Sequence, residues 1–76
     1  MMTHIDLIEK IKMQLPNIGF KIKRDGNKTM VKMNKGKKYA TLHLIGNTAS
    51  LKIGNSIKNI DYDFSKIFKK ISAYFS

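Results

Sequence analysis

The chain contains no cysteine, a single proline, a single arginine and a single glutamate. Without cysteine there is no disulfide framework, no thiolate metal site and no sulfur nucleophile. Secreted domains of this size usually depend on such staples, so a cytoplasmic location is expected. No apolar run approaches the length needed to cross a membrane. The start, Met1-Met2-Thr3-His4-Ile5-Asp6, brings charge in too early for a signal peptide. The shortage of acid is the most telling. Five Asp and Glu stand against fifteen Lys and Arg, for a net charge of +10. The chain is rich in Ile, Lys and Asn, as an AT-rich genome would make it. That bias should also enrich glutamate, yet Glu9 is the only one. Selection against acidic residues is the better account. A charge this far from zero repels itself and attracts polyanions.

What is present fits one domain spanning residues 1–76, with 42% apolar residues. Thr3 and Asp6 have capping-box spacing, and Ile5, Ile8, Ile11 and Leu15 recur at helical intervals. Pro16 ends that pattern, so a helix is expected over about residues 4–14. The period then changes to two. Phe20 and Ile22 alternate with Lys21 and Lys23, and Thr29, Val31 and Met33 with Lys28, Met30 and Lys32. Ala40, Leu42 and Leu44 alternate with Tyr39, Thr41 and His43, and Ala49, Leu51 and Ile53 with Ser50 and Lys52. Glycine-containing turns separate these runs. Gly54-Asn55-Ser56 is read as the end of the sheet. Asp61 is taken as the N-cap of a second helix, with Asp63 in its first turn and Ile60, Phe64, Ile67, Phe68, Ile71 and Phe75 as its apolar stripe. Residues 57–60 are left open, an added helical turn being one option.

The turns can be tested against each other. A Gly26-Asn27 loop sets Ile22 opposite Val31, a Gly36-Lys37 loop sets Met33 opposite Ala40, and a Gly46-Asn47 loop sets Leu42 opposite Leu51. All three place the apolar sets on one face, and a slip by one residue would destroy that agreement. The expected fold is α+β, a two-layer, four-stranded antiparallel meander (α-β-β-β-β-α) with both helices on one sheet face. Its edges would be the first and fourth strands, through which a homodimer could form.

The other face then holds the lysines. Lys21 falls opposite Lys32 in the register above, and shifting that loop to Asp25-Gly26 merely sets Lys23 opposite Lys28. Like charges across strands are destabilising, so a fold that keeps them is expected to gain from a bound anion. The Lys35-Gly36-Lys37-Lys38 turn concentrates further charge at one end of the sheet. The candidate nucleic-acid-binding set is Lys21, Lys23, Lys32, Lys35, Lys37, Lys38 and Lys52, with Tyr39 and His43 as residues that could stack on bases. Fourteen lysines and one arginine, Arg24, suit phosphate contacts more than base reading.

Catalytic equipment is sparse. His4 and His43 are the only histidines and no pattern brings them together. Capping explains Asp61 and Asp63, and no phosphate-binding glycine loop precedes a helix. Neither metal nor cofactor is expected, and the chain reads as a non-enzyme. The segments Gly19–Gly26 and Leu51–Lys58 resemble the small toxins of the HicA type. That resemblance implies a double-stranded-RNA-binding-like α-β-β-β-α scaffold and a ribonuclease activity. The family's catalytic histidine follows the first hairpin glycine, where this chain has Asn27-Lys28-Thr29, so the implied share is at most an RNA-binding scaffold. The leading expectation is a nucleic-acid-binding protein, DNA or RNA. The alternative is a phage or mobile-element type interaction protein that occupies an acidic surface on a partner protein. A toxin-type ribonuclease comes third, to be recognised by toxicity that His43→Ala abolishes.

Overall fold

The computed structural model describes residues 2–76. Helix α1 spans His4–Gln14, with Thr3 as N-cap accepting from the Asp6 amide at 3.1 Å. The helix stops at Leu15 because Pro16 disfavours helical geometry in the residue before it. Five strands follow: β1 Gly19–Asp25, β2 Lys28–Lys35, β3 Lys38–Ile45, β4 Thr48–Ile53 and β5 Ser56–Ile60. Helix α2, Phe64–Phe75, closes the chain. The strands pair in sequence order as one antiparallel sheet.

Each turn has two residues with glycine first. Gly26 and Gly54 have φ near +60° (62° and 60°), and no non-glycine residue has positive φ among the described residues. That is the pattern of type II′ turns, whose twist matches that of the flanking strands. The turns lock the register. Ile22 faces Val31, Met33 faces Ala40, and Leu42 faces Leu51. The expected pairings are therefore the ones found, with the first loop at Gly26-Asn27.

Two expectations are corrected. The sheet has five strands, not four. Gly54-Asn55 is a fourth hairpin turn, and residues 56–60 form β5 rather than helix. The edges are thus β1 and β5. In addition, Asp63, not Asp61, caps α2. Its carboxylate accepts from the Lys66 amide at 3.1 Å, while Asp61 lies outside the helix and pairs with the Lys66 ammonium at 2.6 Å. The five-strand order also departs from the three strands between helices that the toxin resemblance implies.

One strand parity, with the apolar sides of both helices, builds the core. Leu7, Ile8 and Ile11 from α1 and Ile67, Ile71 and Phe75 from α2 join Val31, Met33, Leu42, Leu44 and Leu51 in a single buried cluster. Both helices therefore lie on the same sheet face. Burying each of these side chains is worth roughly 1.5–3 kcal/mol. The one buried polar residue among the described residues, Thr29, is satisfied by His4, whose Nδ1 lies 2.7 Å from the hydroxyl. The other ring nitrogen, Nε2, sits 2.6 Å from the Gly46 carbonyl oxygen. A carbonyl only accepts, so Nε2 carries the proton, and in the neutral ring Nδ1 accepts from Thr29. His4 thereby ties α1 to β2 and to the β3–β4 turn. Tyr62 closes the same end by donating to the Met2 carbonyl at 2.8 Å, and the Lys10 ammonium lies 4.3 Å from the centre of the Phe64 ring, joining α1 to α2. No helix is long and apolar enough to cross a membrane among the described residues.

Candidate nucleic-acid interface

With both helices on one side, the second sheet face is bare. Its side chains form rows across the strands. One row is Lys21, Lys32, Thr41, Lys52 and Ile57; the next is Lys23, Met30, His43, Ser50 and Asn59. Asp25, Lys28, Ile45 and Thr48 make a shorter row at the end nearest the Gly26 turn. Strands lie about 4.8 Å apart, so the rows span about 19 Å. Lys21 stands directly opposite Lys32, as the register required. Between β1 and β2 an open depression of about 350 Å³ is lined by Lys21, Ile22, Lys23, Met30 and Lys32.

Little acid relieves this charge. Among the described residues Asp25 is the only carboxylate within these rows, at their margin opposite Lys28, and Asp61 borders the face beyond β5. Asp6 and Glu9 are on α1, and Asp61 and Asp63 precede α2. Among the described residues the one ion pair is Lys66–Asp61, and it is exposed. That pairing holds the Asp61 carboxyl below its ordinary range and the Lys66 ammonium above its own.

His43 occupies the middle strand. Partial burial, and then the positive charges of Lys28 and Lys52, hold its pKa below the ordinary value of 6.5. The imidazole is consequently neutral at pH 7, a hydrogen-bonding ring rather than a cation. Tyr39 projects from the row above Thr41, opposite Asn34, and is 66% exposed.

The site residues expected from sequence do not all gather. Lys21, Lys23, Lys32, Lys52, Tyr39 and His43 share the bare face. Lys37 is at the apex of the β2–β3 turn. Lys35 and Lys38 turn the other way. Lys35 donates to the Phe75 carbonyl at 3.2 Å, and Lys38 to the Tyr74 and Ser76 carbonyls at 3.1 and 3.3 Å. They satisfy the unpaired carbonyls at the C-terminus of α2, where cations also suit the helix dipole. Their parity foretold this: Lys35 lies two residues beyond Met33, and Lys38 two before Ala40, both core-facing.

β5 brings residues to this face that a four-stranded sheet would lack. Ile57, 61% exposed, extends the lysine row, and Asn59 extends the His43 row. The repeated Gly-Asn dipeptide at residues 54–55 was the available signal. Among the described residues no three His, Asp or Glu side chains cluster as metal ligands. No protein-family model, curated protein or solved structure matches the chain.

Proposed function

We propose that this protein binds nucleic acid through the bare face of its sheet, without catalysing a reaction. The observation that carries the reading is the unrelieved row of Lys21, Lys32 and Lys52, with Lys21 and Lys32 directly opposite each other. Such a pair costs stability in the free protein. An array of phosphates laid across it turns that cost into attraction, and the released counterions add to it. Lys23 and Lys28 widen the charged surface, Lys37 extends it at the turn, and Tyr39 supplies a stacking ring at its border. Lysine predominates, so the contacts favour the backbone and confer little sequence preference.

The test is fluorescence anisotropy with duplex and single-stranded oligonucleotides over a range of salt. If Lys21, Lys23, Lys28, Lys32, Lys37 and Lys52 each neutralise one phosphate, log K falls against log salt with a slope approaching about −5 on duplex and about −4 on a single strand. No binding at low salt refutes the reading.

Exposed Ile57, at the end of the lysine row, favours a second reading. A phosphate backbone gains nothing from an isoleucine, whereas an acidic protein surface with an apolar spot would cover it. In that case Ile57→Ser weakens binding to the partner while leaving any affinity for oligonucleotides unchanged.

A further inference from the structure

Where β3, β4 and β5 meet the segment leading into α2, the bare face deepens into an open cleft of about 550 Å³. Its walls are chemically unlike the lysine rows beside it. His43, Asn47, Ser50 and Asn59 line it from the sheet and its β3–β4 turn, with Asp61 and Tyr62 closing one side. None of these four residues is a cation at neutral pH. Asp61 is engaged with Lys66, and Tyr62 donates to the Met2 carbonyl. The side chains of His43, Asn47, Ser50 and Asn59 make no hydrogen bond among the described residues. Two amides, a hydroxyl and an imidazole thus converge on one space with their donors and acceptors unspent.

Charge and cleft are contiguous. His43 and Ser50 stand in the row next to Lys32, Thr41 and Lys52. Phosphates on the lysine row would therefore hold a nucleotide within a few ångströms of the cleft, since neighbouring residues on one face of a strand are about 6.7 Å apart. Carboxamides match the donor–acceptor edges of bases, which are accessible only when the base is unpaired or splayed out.

We infer that the cleft bounded by His43, Asn47, Ser50, Asn59 and Tyr62 receives an unpaired nucleobase, making the protein selective for single-stranded nucleic acid. This rests on the proposed function and deepens it. The lysine rows supply affinity for any polyphosphate backbone, and the cleft supplies the preference for an exposed base over a stacked pair.

The test compares three probes of about twelve nucleotides, within the site size of a small binding domain. They are a mixed-sequence single strand, its duplex, and the same single strand with abasic positions throughout. The expected result is that the intact strand binds about tenfold more tightly than the abasic strand and the duplex. Asn59→Leu, on the exposed edge strand, should fill the cleft and bring the intact strand down to the abasic level with the salt slope unchanged. Ser50→Val should do the same, and thermal melting checks that both variants are folded. Equal binding of intact and abasic strands, or indifference to both substitutions, overturns the inference while leaving backbone binding intact. No binding of any probe overturns both readings.

Discussion

Replacing Lys32 by glutamine should make the protein more stable and a weaker binder at once. Lys21 and Lys32 face each other across β1 and β2, and no carboxylate is interposed. Two ammonium groups about 7 Å apart in water repel by roughly 0.6 kcal/mol, and screening at 0.1 M salt removes about half of that. Lys32→Gln keeps most of the stem, so the expected gain is a few tenths of a kcal/mol, or about 1–2 °C in Tm for a domain of this size. Thermal and urea unfolding at low salt should show it. At 1 M salt, where the Debye length is about 3 Å, the gain should vanish, which separates repulsion from any change in packing. The same variant loses one phosphate contact, so its salt slope on duplex should be shallower by about 0.9. Lys21→Gln should behave alike, and the double variant should lose about 1.8 in slope. Lower stability of Lys32→Gln at low salt would show that the lysine pair is not repulsive. Binding that persists with an unaltered slope would show that Lys32 contacts no phosphate.

Other consequences follow from the same geometry. His4→Ala leaves the buried Thr29 hydroxyl without a partner, which costs about 1–3 kcal/mol. Thr29→Val should cost less, and the two changes together less than their sum, as a double-mutant cycle in urea would show. Lys38→Ala should loosen the last turn of α2, seen as faster amide exchange there, while the affinity for oligonucleotides falls by less than in Lys32→Gln. The lowered pKa of His43 makes stability pH-dependent with a definite sign. The unfolded chain binds the proton more readily, so stability is full above about pH 6.5 and declines as pH falls through the folded-state value. His43→Gln should remove that part of the decline between pH 7.5 and 5.5. Phosphate laid near Lys28 and Lys52 opposes the repulsion that lowers this pKa, so binding should take up a proton and tighten more towards pH 6 in the natural protein than in His43→Gln.

Much of this architecture was legible from period and punctuation. The three hairpins from β1 to β4 each combined a glycine turn with alternation on both sides, and each constrained the next. Thr3, Asp6 and Pro16 marked both ends of α1 in the same redundant way. β5 lacked that redundancy. As an edge strand it half-buries only Ile60, so Ser56–Ile60 shows no alternation of burial, and Ile57 and Ile60 are three apart, as on a helix. Asp61 and Asp63 are chemically equal as caps. Only the direction of the chain leaving β5 selects Asp63. For Lys35 and Lys38, the density of charge in the turn drew attention away from their parity, which already set them on the helix side. The cleft was out of reach, because Asn59 belongs to the unrecognised strand and Tyr62 to the segment after it.

The neighbour-to-neighbour order of the sheet also bears on how the chain reaches its folded state. Each strand finds its partner across a two-residue turn, so the sheet can zip from any hairpin with almost no entropy lost to loop closure. The helices lie at opposite ends of the sequence and pack on one face of that sheet, so their contact closes the longest loop of the fold. Until α1 and α2 dock, both sheet faces are open to solvent, one apolar and one cationic. The charge on the second face gives copies in that interval a mutual repulsion that opposes their association through the uncovered apolar face.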